Sequence, residues 1–365
     1  MRVVQVRLTN VRCHREVRVP LGPRLTVLVG ANGAGKTTVL EALALVLAGE
    51  PLRAGSLREL VTQGEEHLRV EVELEDSGHR VTAAAAYARS GERRLTVDGA
   101  PLEGHARWME QLPLCAFLPD NLRLVKGSPR HRRMYLDTIG MRRYPEYGEL
   151  LARYEEALAQ RNSLLRTPGL ELADPLFAPW EKLLAQLGLA LVRLRAGLLS
   201  SLVPRFQQQH AALTGASPDT YRLLYRTNTS GLDEQEYEKR LQEARAVDRQ
   251  RTFTGLGPHR DDLVLVAGGL EVREFASQGE QRTALLALVL AEWQWLREGP
   301  HPPLLLLDDV MSELDASRRR ALVSSLREGG QVVITTTDRR YFTDAELEEA
   351  LVLEMEPGKV RGEGN

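Results

Sequence analysis

Cysteine is almost missing from this sequence: Cys13 and Cys115 are the only two. Two thiols make neither a disulfide framework nor a set of metal ligands, and their scarcity suits a reducing cytosol. Lysine is sparse as well, with five among 48 basic residues, so arginine carries nearly all the positive charge. Neither sign of charge is in excess. The formal net charge is −2, so binding to a polyanion must come from a local basic surface and not from the overall balance. No run approaches the roughly 18 apolar residues of a membrane span. The opening Met1-Arg2-Val3-Val4-Gln5-Val6 reads as a strand, not as the apolar core of a signal peptide. Internal repeats and low-complexity tracts are lacking too. The expectation is a cytoplasmic protein with no membrane partner. Bulk composition is ordinary, with 43% hydrophobic and 27% charged over 365 residues, enough for a sizeable core and more than one domain.

What stands out against that background is Gly30-Ala31-Asn32-Gly33-Ala34-Gly35-Lys36-Thr37-Thr38. An apolar run, Leu25 to Val29, precedes it as a short buried strand, and good helix formers follow from Val39 to Leu47. Strand, G-x-x-x-x-G-K-[ST] and helix together make a phosphate-binding P-loop. Each residue type has its reason. Glycines permit positive φ and close backbone approach, so successive N–H groups line a nest for phosphate oxygens. The helix begun at Lys36 adds its positive dipole end. Lys36 is expected on the β- and γ-phosphates and the Thr37 hydroxyl on Mg²⁺. The plain alternative is a glycine-rich turn that merely starts a helix.

Residues 1–119 read as a β-rich region around that helix, with strict alternation from Leu68 to Glu75. From 120 to 251 the strand signals vanish and helical periodicity takes over, including a leucine-rich helix from Trp180 that Pro204 is expected to stop. From 252 to 365 the pattern returns to α/β, with a strand at Leu263–Val266 and a capping-box spacing at Ser277 to Glu280. The predicted fold class is α/β: a P-loop ATPase with mixed sheets, discontinuous over 1–119 and 252–365, split by an all-helical insertion at 120–251.

A second constellation follows. Leu304 to Leu307 runs into Asp308-Asp309, the strand-borne acids that order the Mg²⁺ shell beside a P-loop. Asp308 is expected to hold the metal through water, and Asp309 to position or deprotonate the attacking water. Taken alone, two aspartates after an apolar run also make an ordinary turn or helix cap.

The order of motifs resembles the ABC-type ATPases of the SMC branch: P-loop, helical insertion, Ser277-Gln278-Gly279-Glu280-Gln281, Leu-Leu-Asp-Asp, then Ser312-Glu313-Leu314-Asp315. Asn10-Val11-Arg12, Val125-Lys126-Gly127-Ser128-Pro129 with Arg132-Arg133, and Gly257-Pro258-His259-Arg260-Asp261-Asp262-Leu263 narrow the likeness to bacterial recombination mediators. It covers nearly the whole chain. The resemblance implies an ABC/SMC-type head in which two subunits sandwich two ATP molecules. Ser277 to Gln281 would then be a signature loop capping the γ-phosphate held by the partner's P-loop. Ser312 and Asp315 would belong to the D-loop and Thr337 would occupy the switch position. It also implies a homodimer formed with ATP and released by slow hydrolysis, DNA as a ligand, and mediator proteins like RecR and RecO as partners. The chain departs from the pattern in three places. Asp309 stands where a catalytic glutamate is expected, Thr337 where a histidine is common, and no glutamine follows Leu118, with Asp120 the nearest polar residue.

Arg12 is a further candidate for the phosphates, or an ordinary surface arginine. Lys126, Arg130, Arg132 and Arg133 lie in the densest basic stretch and are the DNA candidates, against the reading of a solvated basic face. No base-reading module is present, so recognition of DNA shape or junctions is expected, not of sequence. Two other classes compete. The ATPase subunit of an ABC transporter usually has a shorter insertion and a double glycine in its signature. A P-loop GTPase needs N-K-x-D, and no asparagine here is followed by lysine.

Overall fold

The computed structural model describes residues 1–49, 51–52, 56–76, 78–102, 113–118, 122–299, 301–327 and 329–362. Asp120 lies outside the described residues. The chain divides into two compact units, residues 1–122 with 208–217 and 277–365, and residues 123–207 with 218–276.

The first unit holds two six-stranded sheets. One is antiparallel and contains β1 (Arg2–Val11), β2 (His14–Pro20), β4 (His67–Asp76), β5 (His79–Ala88), β6 (Arg93–Val97) and β7 (Ala100–Pro101), in the order β2-β1-β4-β5-β6-β7. Leu68, Val70, Val72 and Leu74 are buried in it while the residues between them carry charge, as the alternation predicts. The other sheet contains β3 (Leu25–Val29), β8 (Leu114–Phe117), β12 (Leu304–Leu307), β13 (Val332–Thr336), β14 (Ala350–Glu356) and β15 (Lys359–Gly362). Its order is β15-β14-β3-β13-β12-β8, parallel throughout except for β15 at the edge. All four leucines of β12 are buried, which fits a parallel strand covered on both faces. The P-loop helix, Lys36–Leu47, is buried along nearly its whole length. Its Val39, Leu40, Leu43 and Val46 share one core with Val6, Leu8, Val70 and Val72 of the first sheet and Leu306 and Val333 of the second.

Register fixes the site. Ile334 of β13 lies beside Val27 of β3 and Leu307 of β12, so both outer strands end at one edge of the sheet. The P-loop leaves that edge from β3, and Asp308-Asp309 leaves it from β12. Ligands in open parallel sheets bind beyond the carboxyl ends of the strands.

The second unit has helices Pro129–Arg143, Tyr147–Arg166, Glu234–Glu243 and Arg245–Arg251, with most of Phe177–Thr214. Tyr147, Tyr154, Ala157, Leu184, Leu191 and Tyr237 form its core. Three expectations need correcting. The stretch 120–251 is not purely helical, because Tyr221–Arg226 forms β9 and pairs antiparallel with β10 (Asp262–Ala267), itself paired with β11 (Leu270–Glu271). That pairing places 262–271 with the insertion. Pro204 does not stop its helix, which continues to Thr214, because Leu198, Leu202 and Phe206 are fully buried around it. Their packing outweighs the roughly 3 kcal/mol that an interior proline costs. The same helix, with a window of mean hydropathy 1.4, is long and apolar enough to cross a membrane, against the expectation of no such run. Half of that window is buried within the protein, as in a core helix.

Candidate nucleotide site

The P-loop wraps a cleft of about 450 Å³ lined by Asn32, Gly33, Gly35, Lys36, Thr37 and Thr38, with Arg12, Cys13, Glu41, Asp308 and Asp309 completing the wall. Gly35 precedes the helix at φ 91°, the left-handed region that only glycine adopts freely. A Cβ there would come within 2.1 Å of His14 Nε2, so the loop is also sealed from behind. At Gly30 a Cβ would meet Met355 O at 2.5 Å. His14 is fully buried, and its Nε2 lies 3.3 Å from Gly35 O. Burial lowers its pKa, and the hydrogen bond to Gly35 opposes the shift.

Lys36 Nζ donates to Gly30 O at 2.6 Å and Ala31 O at 2.9 Å, curling over the loop it serves. Burial lowers its pKa, and the charges of Asp309 and Asp308 oppose the shift. Thr37 Oγ1 lies 2.8 and 3.0 Å from the two Asp308 oxygens. Thr335 Oγ1 donates to Asp308 Oδ1 at 2.7 Å and accepts the Asp309 N–H at 2.9 Å. Asp309 is left-handed at φ 47°, a strained pose for a non-glycine residue, and its Oδ1 is buried with no hydrogen-bond partner. A hydroxyl, a carboxylate and an unsatisfied carboxylate oxygen converge here, all hard oxygen donors of the kind Mg²⁺ takes.

Arg12 lies in this wall in a left-handed pose of its own, φ 50°. Its Nε and Nη2 pair with Glu41 at 2.7 and 2.8 Å, and Glu41 is 1% exposed inside the P-loop helix. The pair holds the guanidinium at the rim of the cleft. Glu41, His14 and Thr335 escaped the sequence reading. Each reads as filler in its own strand or helix, and only the fold brings it to the loop.

The signature residues are built but do not line this cleft. Ser277 caps helix Gln278–Leu296 in a capping box: Ser277 Oγ accepts the Glu280 N–H at 3.3 Å, and Glu280 Oε2 accepts the Ser277 N–H at 2.8 Å. Gly279 faces open space, and Gln281 is buried. Ser312 Oγ donates to Asp309 O at 2.8 Å, and Asp315 caps the next helix through the Ser317 and Arg318 N–H groups. Thr337 follows the end of β13; Thr335, two residues earlier, is the threonine that touches both aspartates.

In the second unit, the basic stretch separates into two kinds of residue. Lys126 and Arg130 are exposed. Arg132 is 5% exposed, and its Nε and Nη2 pair with Asp262 at 2.6 and 2.8 Å while Nη1 donates to Gly127 O. Its charge is compensated internally, which leaves it little to offer a DNA backbone. Arg133 is half-buried, donates to Asp261 O at 2.8 Å, and has its pKa lowered by burial and by Arg195 nearby. The Gly257–Asp262 stretch is internal wiring as well. Pro258 O accepts Arg195 Nη1, and His259 bridges Tyr154 OH at 2.7 Å and Thr254 O at 2.8 Å.

Comparison with known proteins agrees with this architecture. The sequence model of the RecF/RecN/SMC N terminal domain matches residues 2–360. A DNA replication and repair protein RecF from Synechococcus sp. (strain JA-3-3Ab) is 36% identical over 97% of this chain and 96% of its own. The one from Anaeromyxobacter dehalogenans (strain 2CP-1 / ATCC BAA-258) is 37% identical over 99% of each. A solved structure of the recombination mediator protein RecF-ATP in the RecFOR pathway is similar with a TM-score of 0.85 and 26% identity, over 99% of this chain and 97% of that one.

Proposed function

The chain belongs to the RecF family of DNA replication and repair proteins, and on that premise we propose that it is an ATP-dependent DNA-binding protein of recombinational repair and replication restart. It binds ATP with Mg²⁺, closes as a homodimer around two nucleotides, clamps DNA at gaps or junctions and promotes recombinase loading. Hydrolysis is slow, stimulated by DNA, and releases the clamp. Mediator proteins of the RecR and RecO kind are its partners, and it works in the cytoplasm.

The observation that carries this reading is the cleft itself, where Thr37, Asp308 and the unsatisfied Asp309 Oδ1 face Lys36, with the capped Ser277 helix absent from the lining. The loop's N–H groups and Lys36 would hold the phosphates of a nucleotide there, and Thr37 and Asp308 would hold its Mg²⁺. Such a metal would supply positive charge to offset the phosphates. Asp309 aligns the attacking water, and Arg12 faces the phosphates from the rim. The γ-phosphate still lacks a cap, and Ser277 with Gly279 of a second copy supplies one. DNA lies against Lys126 and Arg130 among other basic residues and is read by shape. The transporter reading falls, because the relatives that match over nearly the full chain are DNA repair proteins.

The test is binding of gapped duplex by fluorescence anisotropy with ATP, ADP or no nucleotide, in wild type and Lys36→Met. Binding that requires ATP and is lost in the variant supports the account. Equal binding without nucleotide contradicts it.

A further inference from the structure

Asp309 heads a single 3-10 turn, Val310–Glu313, whose geometry decides where its carboxylate points. That turn is pinned along its length. Ser312 Oγ donates back to Asp309 O, and Arg319 Nε donates to Met311 O at 2.8 Å. At the turn's last residue, the Glu313 carboxylate meets Arg282 Nη1 at 3.0 Å. Arg282 stands on the second turn of helix Gln278–Leu296, close to its Ser277 cap. One arginine therefore joins the signature end of that helix to the turn that carries Asp309.

The electrostatics make the join consequential. Glu313 is 12% exposed, and its Oε2 is buried with no hydrogen-bond partner. Burial raises its pKa, Arg282 opposes that rise, and Asp309 and Asp308 add to it. Arg282 is the cation paired with this third carboxylate near Asp308 and Asp309. A partly buried ion pair that loses one member leaves a less compensated charge, which either protonates or moves out toward water. Either response unseats the turn.

We propose that the Arg282–Glu313 pair is a positioning device that couples the signature end of helix Gln278–Leu296 to Asp309 of the same chain. The inference rests on the ATPase reading above and adds to it a route between the two ATP sites. An anion at the N-terminus of this helix attracts its first turns by dipole and N–H contacts. Arg282 follows, and Glu313 transmits the shift to the turn. A parallel strut strengthens the join: Arg318 Nη1 donates to Thr283 Oγ1 at 3.2 Å, and its Nε lies 3.5 Å from Asp315 Oδ2. In a symmetric dimer, the phosphate capped by one chain then adjusts the water-holding acid of that chain's own nucleotide.

A double-mutant cycle on steady-state ATP hydrolysis tests this, using Arg282→Gln, Glu313→Gln, their combination, and Arg282→Lys, each with a thermal unfolding midpoint. Mutations along a coupling route shift it by factors of about 2 to 30. The expected result is a kcat reduced by that factor in each single variant, with KM for ATP within about twofold. The double variant should be no worse than the worse single, and Arg282→Lys should recover most of kcat. Unchanged kcat, single losses that multiply in the double, or KM moving in step with kcat would each overturn the coupling. Wild-type protein that hydrolyses no ATP would overturn the ATPase reading itself, so the two failures are distinguishable.

Discussion

Lys36 and Asp309 carry opposite halves of the chemistry, and their predicted defects differ accordingly. Lys36→Met removes the cation that now spans Gly30 O and Ala31 O. ATP affinity should collapse in a nucleotide titration, and normal affinity would end the P-loop assignment. Asp309→Asn leaves the phosphate nest intact but removes the base. ATP should stay bound while turnover falls by roughly 100-fold or more, the scale of a lost general base. Turnover at the wild-type rate would take Asp309 out of the site. The residues of these two predictions were legible in the sequence because P-loop chemistry is local, with loop, lysine and threonine contiguous and the aspartates ending an apolar run. Glu41, His14 and Thr335 were not, since each acts through a contact made by another part of the chain. Burial of a glutamate inside an apolar helix leaves no periodic trace.

At the scale of elements, buried polar contacts decide what the second unit tolerates. Arg132 ties helix Pro129–Arg143 to β10 through Asp262. Arg132→Leu should lower the unfolding free energy by about 3 kcal/mol, the low end for breaking a buried pair. A thermal melt like that of wild type would show the pair to be idle. Arg130→Glu with Lys126→Glu should leave the melt unchanged, weaken DNA binding and flatten its salt dependence. His259 gives the unit a pH response. Burial lowers its pKa to about 4 from an ordinary 6.5, so the folded state binds fewer protons than the unfolded one below 6.5. Its share of stability is full above pH 6.5 and is lost as the pH falls toward 4. His210, lowered to about 4 by burial and Arg318, acts in the same window in the first unit. His259→Gln can keep one donor and one acceptor while removing one titration, so its melting temperature should fall less steeply over that range. An identical slope would remove His259 as a cause. The periodic strands and helices were readable from hydrophobic spacing. Strand β9 and the helix running through Pro204 were not, because both depend on packing partners distant in sequence.

For the whole molecule, the signature loop stands apart from the cleft, and the proposed mechanism therefore needs a second copy. The motif order gave the fold in outline, because each motif sits at a strand or helix end whose place in the sheet is fixed. Assembly is a property of surfaces and leaves weaker marks. The direct measurement is solution mass by light scattering, with ADP and then with ATP and Mg²⁺, for wild type and Ser277→Arg. The account predicts a wild-type dimer with ATP only, and a monomeric variant that still binds ATP. A wild type that stays monomeric with ATP bound, or a variant that dimerises as well as wild type, would contradict it.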